Sequence, residues 1–117
     1  MKRLIIVDDD KLVRTSMGLY FENAGWDVAL AEDAEQALGL ATAPFDAMIC
    51  DLNLSPRSAA DGASVLAAAR RASPRAILVL LSGEAPGELG EARPDHVVQK
   101  PVRLAHLEQL LVDGAPR

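Results

Sequence analysis

Three carboxylates stand in a row at Asp8, Asp9 and Asp10, directly after the apolar run "LIIV". A fourth, Asp51, follows "MIC"; a hydroxyl, Ser82, follows "LVLL"; an ammonium, Lys100, follows "VVQ". Carboxylates held within a few ångströms repel one another, and one of them binds a proton unless a cation is shared among them. A divalent metal removes the conflict. Magnesium prefers an octahedron of oxygens, drawn from one or two carboxylates, a carbonyl, waters and a phosphate. Asp8, Asp9 and Asp51, with a backbone carbonyl from the loop after Asp51, can supply the protein's share. Lys100 adds a cation and Ser82 a hydrogen-bond donor, both suited to phosphoryl oxygens. The combination suits phosphoryl transfer to a carboxylate.

Such groups act together only if the fold gathers them. Apolar runs rich in Val, Ile and Leu occur at 4–7, 47–50 and 76–81, with weaker ones at 27–31 and 96–99. They are too short and continuous for amphipathic helices and read as strands covered on both faces. Helical character occupies 11–24, 34–43, 62–73 and 103–112; the last reads "RLAHLEQLLV", with Leu104, Leu107, Leu110 and Leu111 on one stripe. Gly25 follows the first helix as a C-cap and Asp33 precedes the second as an N-cap, while Pro44 and Pro74 mark the ends of the second and third. Alternation of this kind predicts right-handed crossovers and a doubly wound, five-stranded parallel sheet with helices on both faces. In such sheets ligands bind beyond the carboxyl ends of the strands, where strand order reverses. Four of the five strands deliver a polar group to that rim.

Composition narrows the function classes. The 117 residues, half of them hydrophobic, predict one domain over 1–117 that buries roughly two-thirds of the surface its unfolded chain exposes. A net charge of −5 argues against direct nucleic-acid binding, which needs clustered Lys and Arg. The lone Cys50 forms no internal disulfide, no run approaches a membrane span, and the N-terminus lacks the pattern of a signal peptide; the cytoplasm is the expected compartment. The closing "DGAPR" reads as a terminus or as the start of a linker.

Four segments in this order, "IIVDDD", "MICDLNL", "LVLLSGE" and "VVQKP", resemble the CheY-like receiver domain of two-component response regulators over the whole chain. Each is weak alone; together, at strand ends, they are specific. The resemblance implies a flavodoxin-like sheet of order 2-1-3-4-5 and an Mg-dependent phosphoacceptor at Asp51, an aspartyl nucleophile that forms an acyl phosphate. Asp9 would coordinate magnesium (manganese as a substitute) directly, together with Asp51, and Asp8 would hold one of its waters. The backbone carbonyl of Asn53 would be a further ligand. Lys100 would pair with Asp51 before transfer and with the phosphoryl group afterwards, and Ser82 would move toward it. The Lys100–Pro101 peptide would be cis. Asp10 matches no ligand role and reads as the N-cap of the first helix. The implied phosphodonor is a sensor histidine kinase or a histidine phosphotransfer protein. Output would pass through a downstream target or an effector domain outside these residues, by way of a face built from the fourth helix, fifth strand and fifth helix; a dimer formed on phosphorylation is compatible with this. The domain would act as a signalling switch and not as an enzyme beyond its own phosphorylation and dephosphorylation, with no contact to nucleic acid or membrane.

Three departures from the family pattern bear on output. The switch position three residues before Lys100 is commonly aromatic and here is Val97, which has no comparable large rotation to couple to Ser82; His96 is predicted on the opposite face of the strand. The segment "GEAPGELGEARPDH" after Ser82 holds three Gly and two Pro, so the fourth helix should be short or irregular. The 53–62 loop is longer than usual by about three residues. Two other readings compete. Asp8 and Asp10 have the acid spacing of haloacid-dehalogenase-like phosphatases, with Asp8 as nucleophile, although Asp51 would then be unexplained. A degenerate receiver used only for docking is the other. Elsewhere, Cys50 reads as an inert core thiol, Trp26 as packing at the start of the second strand, His106 as a helix-surface residue, and Arg70 and Arg71 as partners of a helix dipole.

Overall fold

In a computed structural model of the chain, which describes residues 2–52, 62–83 and 93–113, the apolar runs form five strands. They are β1 Arg3–Val7, β2 Asp27–Ala31, β3 Ala47–Asp51, β4 Ile77–Ser82 and β5 His96–Gln99. All pair in parallel, in the order β2-β1-β3-β4-β5. The described helices are α1 Lys11–Asn23, α2 Ala34–Leu40, α3 Gly62–Ala72 and α4 Leu104–Asp113. This is the CheY-like α/β arrangement. The stretch expected to hold a short or irregular fourth helix, the long loop with Asn53, and 114–117 lie outside the described residues.

Side chains alternate across each strand, so one apolar run feeds two cores. Ile5, Val7, Met48, Cys50, Leu78 and Leu80 pack with Ala34 and Ala37 of α2 and Val65, Leu66 and Ala69 of α3. Leu4, Ile6, Ala47, Ile49, Val79 and Leu81 pack with Met17 and Phe21 of α1 and Leu107 and Leu111 of α4. Full burial of each large aliphatic contributes about 1.5–3 kcal/mol, which explains why β1, β3 and β4 are almost wholly apolar. The edge strands β2 and β5 are only partly covered, hence their weaker sequence signal.

The caps set how the site loops leave the sheet. Asp10 Oδ1 accepts from the amides of Leu12 (2.9 Å) and Val13 (3.2 Å), starting α1 at Lys11, directly after it. After α1 the chain turns through Gly25 at φ 98°, a conformation that favours glycine. Asp33 Oδ1 caps α2 by accepting from Gln36 N at 2.8 Å. That helix stops at Leu40, short of the expected 43. Thr42 Oγ1 donates to the Gly39 carbonyl at 2.7 Å, and Pro44 disfavours helical backbone at Ala43, so a turn replaces the last residues.

Candidate functional site

Strand order reverses between β1 and β3, and the two strands deliver Asp8 and Asp51 side by side at the carboxyl rim. Asp8 is 1% exposed. Its amide extends the ladder to the Ala31 carbonyl (3.1 Å), and its own carbonyl accepts from Arg14 Nη1 at 2.8 Å. Oδ1 accepts from Asp10 N at 2.9 Å. Oδ2 is buried with no hydrogen-bond partner among the described residues. Burial pushes the Asp8 carboxyl up from its ordinary value, and the charges of Asp51 and Asp9 add to this against the Asp10 amide and Lys100.

Asp51, 4% exposed, closes β3. The chain just beyond it is held by Leu52 N donating to Leu81 O (2.8 Å) and Gly62 N donating to Leu52 O (3.0 Å). The latter contact needs glycine: a β-carbon at Gly62 would overlap the Asp51 carbonyl and lie 2.8 Å from Leu52 Cα. On the far side of β4, Lys100 N donates to Ser82 O at 2.8 Å, and the Lys100–Pro101 peptide is cis. Lys100 Nζ donates to Asp51 Oδ2 at 2.9 Å. Burial alone would lower the Lys100 ammonium, but the Asp51 hydrogen bond and the charges of Asp51, Asp8 and Asp9 outweigh it and raise it. Ser82, buried at the end of β4, stands on the strand between β3 and β5.

One oxygen each from Asp8, exposed Asp9 and Asp51 lies within 4.8 Å of the others. Hard oxygens this close suit a divalent cation, and the partnerless Asp8 Oδ2 is a separate sign of fit, because a buried carboxylate oxygen without a donor is costly. Asn53 lies outside the described residues. Asp10, required by the phosphatase reading, is occupied in capping α1. Val97 lies beside Leu80 across the ladder and is 43% exposed, whereas His96 pairs with Val79 on the other face. Sequence reasoning missed Arg14 and the reason for Gly62. The signal for Arg14 was a cation in the first turn of a helix, where the dipole disfavours it.

A parallel sheet of this order, with an acidic cluster and a lysine on its carboxyl rim, defines the class of CheY-like α/β proteins. The family profile of the response regulator receiver domain matches residues 4–112, and the chain belongs to that family. Among solved structures, it is similar to a CheY-like receiver domain protein from Methanospirillum hungatei JF-1, with TM-score 0.87, 26% identity, and coverage of 97% of this chain and 92% of that one. Chemotaxis protein CheY4 of Vibrio cholerae gives TM-score 0.84 and 25% identity over 97% and 98% of the two chains. A response regulator from Burkholderia pseudomallei, solved with a phosphorylated aspartic acid, a calcium ion and citrate, gives 0.83 and 25%. That match covers 95% of this chain, which spans only 66% of the Burkholderia protein. No curated protein matches the chain. Receiver domains are generally signalling switches and typically interact with histidine kinases. Among the described residues no helix is long and apolar enough to cross a membrane.

Proposed function

We propose that the chain is a phosphoacceptor switch in which Asp51 receives a phosphoryl group from a sensor histidine kinase or a histidine phosphotransfer protein. The observation that carries this reading is the Lys100 Nζ contact to Asp51 Oδ2, 2.9 Å, beside carboxylate oxygens of Asp8 and Asp9 within 4.8 Å. An Asp51 oxygen attacks phosphorus and forms the P–O bond of an acyl phosphate; the P–N bond of the donor breaks, its electron pair returning to the imidazole. Lys100 exchanges its carboxylate partner for a phosphoryl oxygen, a charge-assisted hydrogen bond aimed where negative charge accumulates. Magnesium, or manganese in its place, when held by Asp8, Asp9, Asp51 and the Asn53 carbonyl, supplies positive charge that offsets the crowded oxygens. Ser82 turns toward the modified Asp51. With Val97 at the switch position, the rearrangement propagates without an aromatic rotation.

Output then passes through a downstream protein, an effector domain outside these residues or a dimer formed on phosphorylation, in the cytoplasm and without direct nucleic-acid contact by this domain. Intact-mass analysis after treatment with a small phosphodonor and magnesium tests the reading on wild type, Asp51→Ala and Asp8→Ala. A single phosphoryl adduct that requires Asp51 and magnesium is expected. An adduct surviving Asp51→Ala but not Asp8→Ala would assign the phosphatase class, and none on folded wild type would leave a docking-only receiver.

A further inference from the structure

Near the start of α1, Arg14 turns its guanidinium back toward the carboxyl rim. Nη1 donates to the Asp8 carbonyl at 2.8 Å, and Nη2 lies 3.9 Å from Oε2 of Glu32, which directly follows β2. The Arg14 side chain is 13% exposed and that of Glu32 56%. A long ion pair to an exposed carboxylate stabilises little, and the positive end of a helix disfavours a cation. Neither accounts for a largely buried guanidinium at this place. The short, charge-assisted bond to Asp8 does. Asp8 lies in the gap between β1 and α1, where its carbonyl belongs to no strand or helix.

The Asp8 carbonyl and the Asp9 amide belong to one planar peptide, so holding that carbonyl fixes the unit that joins two members of the acidic cluster. The other handles on Asp8 are its amide, donating to Ala31 O at 3.1 Å, and Oδ1, accepting from Asp10 N at 2.9 Å. Oδ2 is left without a partner among the described residues. Asp9 is exposed, and its place depends on the backbone that carries it. Rigidity of this kind matters more to one ion than to another. Magnesium requires close to an ideal octahedron at about 2.0–2.1 Å, whereas calcium accepts about six to eight oxygens at about 2.3–2.6 Å in flexible geometry. Groups that orient a metal ligand without touching the metal are each worth about 10–100-fold in affinity.

We propose, resting on the reading of Asp8, Asp9 and Asp51 as a divalent site, that Arg14 is a positioning residue: it fixes the Asp8–Asp9 peptide and so selects magnesium over calcium. The sign of the effect separates position from charge. Removing a cation from beside an acidic site strengthens the binding of every divalent ion by Coulomb attraction, whereas releasing the peptide weakens magnesium first. The full chain is titrated calorimetrically with magnesium chloride and, separately, with calcium chloride, as wild type, Arg14→Met, Arg14→Gln and Glu32→Gln, each checked by a urea melt. In Arg14→Met, magnesium affinity should fall by about tenfold or more and calcium affinity by less than about threefold. Arg14→Gln is polar but too short to keep the bond; the same change of ratio is expected, and it carries the test where methionine unfolds the chain. Glu32→Gln removes the distant ion pair alone and should leave both affinities within about twofold. Tighter binding of both ions, equal loss of both, or a wild-type ratio in a folded Arg14 variant would overturn the proposal. Labelling of Asp51 by a small phosphodonor, followed against magnesium concentration, should need about tenfold more metal in Arg14→Met and reach the wild-type extent at saturation. Wild type that shows these metal ratios against its variants but takes no label at Asp51 would sink the phosphoacceptor reading alone.

Discussion

Lys100 Nζ reaches Asp51 Oδ2 at 2.9 Å across a strand that belongs to neither residue. β4 lies between β3 and β5, so the contact spans two ladder steps over Ser82. This bond ties the two strand ends together, and it decides how the rim behaves as pH rises.

The Lys100 ammonium is raised from its ordinary value near 10.5. A base raised in the folded state contributes stability that is complete below the unfolded value and is lost as pH climbs through the folded one. The gap in Tm between wild type and Lys100→Met should therefore be constant through neutral pH and narrow above 10.5. Thermal melts followed by circular dichroism across that range check it. A gap that widened with pH would refute the pairing.

Asp8 has the opposite sign. Its carboxyl is raised from 3.8, so as pH rises from that value the unfolded chain releases a proton that the folded chain keeps, and stability falls. At neutral pH without divalent ions, Asp8→Asn should gain about 1 kcal/mol, roughly 4 °C in Tm for a chain of this size. The variant keeps an oxygen for the Asp10 amide, and its new amide can donate to the neighbouring carboxylates. Magnesium should raise the Tm of wild type and raise that of the variant by less, as calorimetry with and without chelator would show.

Gly62 and Gly39 make a matched pair of glycine-to-alanine tests. At Gly62 a β-carbon meets the backbone of Asp51 and Leu52, which cannot swing aside as a flexible side chain would. Gly62→Ala should cost about 1–3 kcal/mol or more and slow labelling of Asp51. At Gly39, inside α2 with nothing within 4 Å, the same change should stabilise by about 0.5–1 kcal/mol. Urea unfolding of both variants measures the contrast.

Asp10 offers a test that separates structure from chemistry within one acidic run. Loss of its two amide acceptances in Asp10→Ala should cost about 1 kcal/mol. Metal affinity should change by less than about twofold, a difference worth only ~0.4 kcal/mol. Isothermal titration with magnesium beside a urea melt reads both. A tenfold or larger loss of affinity would make Asp10 a ligand.

Much of this fold is legible in the chain because its signals are local. The runs at 4–7, 47–50 and 76–81 mark strands buried on both faces, and the polar residue that ends each run marks the rim, since a carboxylate or hydroxyl is costly to bury in a dry core without partners. Caps at Asp10 and Asp33 and the turn at Gly25 are likewise set within a few residues. Other features depend on what the crossovers bring together. The Lys100 contact to Asp51 joins positions 49 apart. The close approach of Gly62 depends on α3 folding back onto β3, and the Arg70 guanidinium joins α3 to residues 93 and 95. Even the end of α2 was decided by a side-chain bond and a proline and not by helical period. Hydrophobic periodicity and capping are written into neighbouring residues, so the sequence alone determined the elements and the identity of the polar groups at their ends. Which of those groups meet, at what distance and with which oxygen left partnerless, depends on strand order and packing, and only the tertiary structure decided it.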